Sequence, residues 1–568
     1  MWHTMFFLRL LVVLQCCAPI RADPMQLRLN KCTTTQLNDL ENVEALTSLT
    51  LSNCSLSQLK NAFFMRYSQL LTLELQHLSL TELEDYALHG LTRLQSLSLA
   101  HNNIHELKSW SEEPLVALTS LDISYNLLKQ LPAKSFKRYP QLQKLNLSHN
   151  LIERLELDSF YGLFHLKHLE LNGNHLQLIE SIYFQDLHRL YSLTLQHNQI
   201  NHIESASFES NTYLRTLLLE NNQISSIQFL QERGLARLVH LNLSRNLISK
   251  LDSSGFAKNS ELQHLDLSYN ALKQLHNDSF SGLDSLECLN VSHNSIVHIN
   301  GDCLKPLSTL QQVDMSFNGL STLPDELFHS GSQLKVIDIA HNQLVKLEPT
   351  FLSHLINLNQ LKLAGNQLEE ASWLQHVSPA LNRMALRVDL SSNYIKSLNL
   401  SSLVSFEHVN LADNHWDCTW LIRNMLRTPP ATLGFNRSWP MLSAWTDDLL
   451  NVRGVDCFDG QRDQSIVLLD VGVDRQQQVH SCNCEASGDD VIPLTPSLTW
   501  PKIRTDRFDS RSVIIWMLVA IALAFAGLRW GQRFMDRKEH SGNHKNTRGV
   551  NTIKVDVESQ RLKNDRER

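Results

Sequence analysis

Histidines and aromatic rings recur in this chain on one interval. His77, His101, Tyr125, His149, Gly173, His197, Asn221, Arg245, Tyr269, His293, Phe317, His341 and Gly365 stand 24 residues apart. Imidazole moves a proton near neutral pH and ligates metals, and Tyr, Trp and Arg are the usual anchors of binding interfaces. A second set, His168, His240 and His264, keeps the same interval. Catalysis would need a nucleophile, a base or a phosphate cradle in a recognisable frame. The chain has no G-x-S-x-G, H-E-x-x-H, P-loop or C-x-x-C. The histidines follow the interval instead, so we read no enzyme and no cofactor. A metal on His77 and His101 lacks further ligands. That leaves recognition, with His77, His101, Tyr125, His149, His197, Arg245, Tyr269, His293, Phe317 and His341 as the candidate ligand face. The plainer reading is that Ser-His-Asn and Ser-Tyr-Asn spell a turn whose ring packs on its neighbours. If the rings do bind, their histidines also make a pH-sensitive contact an open reading.

The interval belongs to a stronger pattern. Asn102, Asn126, Asn150, Asn174, Asn198, Asn222, Asn246, Asn270, Asn294, Asn318, Asn342 and Asn366 follow one another at a strict step of 24. Each closes the frame L-x-x-L-x-L-x-x-N-x-L, as in LQKLNLSHNLI from Leu142 to Ile152. Side chains alternate across a strand, so the leucines face inward and the residue before each Asn takes an outward position on the concave face. One repeat cannot bury its leucines alone; stacked repeats share one core. An Asn amide, with two donors and an acceptor, can satisfy backbone groups in its own turn and the next. Phe64, Phe136, Phe160, Phe184, Phe208, Phe256, Phe280 and Phe328, separated by multiples of 24, read as a stacked spine on the return side. This pattern resembles the leucine-rich repeats of the 24-residue class. The fold expected is an α/β leucine-rich repeat solenoid, a curved horseshoe with a parallel concave sheet, a disulfide C-terminal cap and one transmembrane helix.

Taken in order, residues 1–22 read as a signal peptide and 23–414 as about 17 repeats. Residues 415–484 read as a cysteine-containing cap, 485–511 as a Pro-containing stalk, 512–530 as a transmembrane helix and 531–568 as a cytoplasmic tail. The apolar run Val513–Leu528 has sixteen uncharged residues between Arg511 and Arg529; a span usually needs about 20, and flanking arginines can snorkel. The expected location is the plasma membrane, single-pass, with repeats outside. Net charge is −7, which argues against nucleic acid as ligand.

Ten cysteines with an export signal suggest an oxidising compartment. Cys32 and Cys54 occupy the Asn position of successive repeats, and neighbouring strands lie within disulfide reach, so the two are expected to pair over the first edge. In the cap, Cys418 is expected to pair with Cys457; a short helix is expected over residues 421–426. Cys482 and Cys484 are left to tie back to the cap or to bridge to another chain. Seven N-x-S/T sites, Asn53, Asn146, Asn242, Asn277, Asn290, Asn399 and Asn436, are expected acceptors of N-linked sugar. Sugar on Asn146, Asn242 and Asn290 would cover part of the concave face and move ligand binding to a flank or an end.

The segments Trp416-Asp417-Cys418 and Gly454-Val455-Asp456-Cys457 resemble the caps of insect leucine-rich immune proteins, although Trp420 stands where a common cap pattern has a second Cys. The membrane span resembles the transmembrane members of that group, and also adhesion and guidance receptors. Toll-type receptors share the architecture, but their signalling domain needs far more than a tail of about 40 residues. The resemblance implies a cell-surface receptor or co-receptor in innate immune recognition, binding an extracellular protein or glycan and signalling through a homodimer or heterodimer partner. The alternative it implies is cell adhesion or guidance, with homophilic binding included.

Overall fold

The computed structural model describes residues 25–425 apart from 34–36, 38–39, 41–42, 55, 57, 61, 108–113, 377–384, 400–402 and 404–405; beyond these it describes 433–434, 450–452 and 455–457. The expected signal peptide, stalk, transmembrane helix and tail lie outside the described residues, as do Cys482, Cys484 and Asn436. Among the described residues no helix is long and apolar enough to cross a membrane.

Each repeat contributes one short strand to an 18-stranded sheet, whose last strand follows the terminal helix. The strands run from Met25–Asn30 and Leu46–Ser52, through three-residue strands such as Lys144–Asn146 and His168–Glu170, to His408–Asn410 and Leu433–Gly434. Pairing is parallel and in register, equivalent positions of successive repeats facing each other: Leu169 lies between Leu145 and Leu193. The middle residue of the three-residue strands is buried and its neighbours are half-buried in most of them, as the alternation requires. The leucines of successive strands and returns merge into one core.

The returns differ from the α/β expectation. They are built from turns, two-residue strand pairs such as Gln130–Leu131 with Arg154–Leu155, and 3-10 turns such as Gln228–Gln231 and Arg233–Leu235. Each α-turn would take 3.6 residues of a 24-residue repeat, and here turns and 3-10 turns occupy the return instead. The phenylalanine spine fills these returns. Phe136, Phe160, Phe184 and Phe208 stack ring to ring at 5.9–6.2 Å. At the next spine position stands Glu232, whose carboxylate accepts the Phe208 N–H at 2.6 Å. Phe229, brought in by the 3-10 turn, packs against Phe208 in its place, centroids 6.0 Å apart.

At the first edge Cys32 and Cys54 form a disulfide, with Cα atoms 4.4 Å apart. At the other end a helix spans Cys418–Met425, three residues earlier than the sequence suggests. Asp417 explains the early start: its Oδ1 accepts the Trp420 N–H at 2.7 Å, an N-cap bond three residues on. Trp416, fully buried, stacks on Trp420 at 5.0 Å. Cys418 is in a disulfide; its expected pairing with Cys457 rests on side chains outside those described. A hairpin, Leu450–Val452 with Val455–Cys457, follows.

Candidate recognition surface

The turn after each strand is held by its asparagine. Asn150 Nδ2 donates to the carbonyls of Ile123, Leu147 and Ser148 at 3.0, 3.1 and 3.3 Å, and its Oδ1 accepts the Leu128 N–H at 3.1 Å. The reach is to the preceding repeat, not the following one. To aim the amide there, the residue before it must turn into the left-handed region. His77, His101, Tyr125, His149, His197, Arg245, Tyr269, His293, Phe317 and His341 all have φ between 51 and 56°. Gly173 and Gly365 have 67° at the same position. For a residue with a Cβ this conformation costs about 1–2 kcal/mol, and Gly or Asn would satisfy it more easily.

The rings offset that cost by stacking. His77, His101, Tyr125 and His149 form one ladder, with successive centroids 4.5, 4.2 and 4.2 Å apart and planes within 19°. Arg245, Tyr269, His293, Phe317 and His341 form a second: the guanidinium lies 4.1 Å from the Tyr269 centroid, and the rings follow at 4.0, 4.2 and 4.2 Å. Aromatic pairs contribute about 0.5–1.5 kcal/mol beyond their burial, comparable to the backbone cost. Both ladders end on a glycine. A Cβ added at Gly173 would stand 2.7 Å from His149 Nδ1, and one at Gly365 would stand 2.5 Å from His341 Nδ1. The glycines therefore make room for the terminal imidazoles.

His197 belongs to neither ladder and stands between them, in register with Gly173 and Asn221. The neighbouring strand columns change here too. Asx residues such as Asn146, Asn242 and Asp266 accept the N–H of the serine two residues on. Glu170/Asn172, Thr194/Gln196 and Leu218/Glu220 replace that pair in three successive repeats. Burial raises the Glu170 carboxyl, with Asp122 adding to the effect. Burial also raises Glu220. The result is a polar interval about three repeats wide between two rows of rings.

Ring exposure separates the columns. Tyr125, Tyr269 and Phe317 are 46, 42 and 44% exposed although both ring faces are stacked, so the ladders present ring edges outward. Burial holds His149 and His293 below the ordinary imidazole range. For His149 the imidazoles of His197 and His101 add to the effect; for His293, Arg245 and His341 do. His168, His240 and His264 lie on the strands. His240 and His264 stack at 4.5 Å, and burial, with His264 beside it, holds His240 down at about 4. Among the described residues no three His, Cys, Asp or Glu are placed to hold a metal ion.

Of the sugar acceptor sites, Asn53, Asn277 and Asn399 are exposed, Asn146 and Asn242 are half-buried on the sheet, and Asn290 is buried. The Oδ1 atoms of Asn146, Asn242 and Asn290 accept the N–H groups of Ser148, Ser244 and Ser292. Cys303 is a free, buried thiol. Two structural residues escaped the sequence reading. Asn211 and Asn259 replace a core leucine, and their amides donate to the carbonyls of Phe184 and Leu187, and of Leu235. They break the leucine frame only once each, so periodicity carries no sign of them.

The stacked strands, the asparagine turns and the continuous core define a repeat solenoid. Seven windows, residues 44–104, 116–176, 164–224, 212–272, 236–296, 260–320 and 308–368, match the family described as "Leucine rich repeat". They span more than half of the chain, which belongs to the leucine-rich repeat family. Curated protein sequences gave no match. Among solved structures, the chain is similar to one in the Drosophila Toll–Spatzle complex, with TM-score 0.59 and 19% identity, covering 70% of this chain and 62% of that one. The glycosylated form of that complex gives TM-score 0.61 and 20% identity, covering 72 and 65%. The chain thus spans less than two thirds of the length of those matched chains. A leucine-rich repeat protein of Leptospira interrogans matches with TM-score 0.53 and 26% identity, covering 60% of this chain and 84% of that one.

Proposed function

We propose that this chain is a single-pass cell-surface receptor or co-receptor that binds an extracellular protein or glycan across the sheet face, in innate immune recognition. The observation that carries this reading is the pair of ring ladders. Local geometry at those positions favours Gly or Asn, yet most of the column is His, Tyr, Phe or Arg, stacked and with edges exposed. Tyr and Arg anchor interfaces, and a sheet face of stacked repeats offers them in fixed register. Repeat solenoids serve widely as interaction scaffolds, and their extended faces are their binding surfaces. The likeness to a chain of the Toll–Spatzle complex, described as a hub in Drosophila development and innate immunity, supports the immune setting as fold-level analogy. Signal transmission falls to a partner chain, through homodimer or heterodimer formation.

The test is a binding screen of the full-length chain on cells against microbial surfaces, soluble extracellular proteins and the chain itself. Binding to microbes or immune proteins, weakened about tenfold by Tyr269→Ala with Phe317→Ala, supports the reading. Self-binding or cell aggregation would replace it with adhesion. A ligand indifferent to both ladders would move the site elsewhere.

A further inference from the structure

The geometry points to a second interaction surface on the flank that leads into the strands, within residues 161–239, which takes an acidic segment of a protein partner. Most exposed large apolar side chains outside the ring column stand singly, but Tyr161, Phe164, Tyr191 and Tyr213 crowd onto successive repeats here, each 42–56% exposed.

The backbone aligns them. The Lys167 N–H donates to Gln143 O at 2.8 Å, Tyr191 to Lys167 at 2.8 Å, Arg215 to Tyr191 at 2.9 Å and Val239 to Arg215 at 2.8 Å. Lys167, Tyr191 and Arg215 therefore form one row at strand spacing, ~4.8 Å. Two residues earlier in each repeat, His165, Arg189, Tyr213 and Arg237 form a second row. Cations and rings thus alternate along the solenoid in both rows. Neighbours also interact: the Arg237 guanidinium lies 5.6 Å from the Tyr213 centroid, and Tyr191 meets His168 edge to face at 6.0 Å. Tyr161 holds Phe164 at 6.1 Å, with Lys134 over its ring at 5.5 Å.

Charge selects the partner's sign. The four segments 161–167, 185–191, 209–215 and 233–239 hold five Lys or Arg against two carboxylates, Asp186 and Glu209, in a chain of net charge −7. Arg215 is partly neutralised by Glu261 at 3.0 Å. Asp186, Glu209 and Glu261 interrupt the basic rows, which suits a mixed protein surface better than a continuous polyanion tracked by its backbone. Exposed Tyr beside Arg is the composition of protein–protein hot spots. None of the N-x-S/T sites falls within these segments.

The experiment measures binding of the full-length chain to short Asp/Glu-rich peptides containing Tyr, to neutral peptides of the same length, to heparin and to a single-stranded oligonucleotide, at low and physiological salt. The acidic peptide should bind in preference to the other three and weaken with salt. Arg189→Glu with Arg237→Glu should weaken it about tenfold or more, and Tyr191→Ala with Tyr213→Ala about fivefold or more. Lys167→Glu is the milder second variant should either pair fail to fold by circular dichroism. The charge-matched control Lys250→Glu with Lys346→Glu, at positions 79 and 65% exposed on the other flank, should leave binding unchanged. Stronger binding of heparin or oligonucleotide, insensitivity of the peptide to the flank variants, or no measurable peptide binding would each overturn the proposal.

Discussion

An asparagine amide offers two N–H groups and one oxygen, and the turns of this protein use all of them. Removing the side chain of Asn150 leaves the buried Leu128 N–H without its partner; the carbonyls of Ile123, Leu147 and Ser148 each lose one of two donors, since Asn126, Asn174 and the Tyr125 N–H still reach them. At about 1–3 kcal/mol for a buried group left unpaired, Asn150→Ala should cost about 2–3 kcal/mol in chemical denaturation, with the loss centred on neighbouring repeats. The histidines act on stability through pH. His240 sits near 4 in the fold against an ordinary 6.5; His149, His168, His264 and His293 are lowered as well. Between those values the unfolded chain holds protons that the folded chain refuses, so stability is full above the ordinary value and falls as pH drops through that window. Buried carboxyls such as Asp266 and Asp314, raised by burial, work in the opposite sense nearer their own range. The melting temperature should therefore fall from neutrality to about pH 5, and His240→Asn with His264→Asn should flatten that slope. An unchanged slope would show that the strand histidines are not responsible. At this scale the sequence was informative wherever a residue type recurred. The ring column could be read off the period, but its stacking could not, because a neutral imidazole packed on tyrosine and one free in solvent are spelled alike.

The repeat is the next unit, and its strand was legible where its return was not. The frame L-x-x-L-x-L forces alternate burial, so strand positions follow directly. The return has no such alternation; whether it becomes α, 3-10 or turn depends on what must fit between neighbouring repeats. The return around Phe229 shows this. Glu232 takes a spine position, its carboxylate binds the Phe208 N–H, and the chain tightens into two 3-10 turns. That tightening drives Gly234 against the preceding repeat: an added Cβ would lie 1.5 Å from Phe208 O. Gly234→Ala should force the return apart and cost at least about 3 kcal/mol, read as a lowered denaturation midpoint. Gly255→Ala, whose Cβ meets the movable tip of Ile227 at 2.7 Å as its nearest atom, should cost less. Equal losses at the two sites would refute this reading of the 3-10 turn. The helix at the end was misplaced from sequence for a similar reason. The expected start at residue 421 leaves out the cap, whereas Asp417 and the buried Trp416 fix the helix three residues earlier.

Across the whole solenoid, stability is a sum over repeats and their junctions, and its two ends differ. One is closed by the Cys32–Cys54 disulfide. Towards the other, Trp416 and the helix from Cys418 are packed into the same core. The asparagine bonds give the stack a direction that symmetry of the strands conceals. Asn126 completes the Ile104 N–H, Asn150 the Leu128 N–H and Asn174 the Ile152 N–H, each 22 residues behind itself. In this bond a repeat is finished by its successor. During synthesis the chain leaves the ribosome from its N-terminus, so each turn emerges with this one N–H open until the next asparagine arrives. The folding front of such a molecule trails the elongating chain by about one repeat throughout translation, and the final turn must find its partner in something other than a repeat.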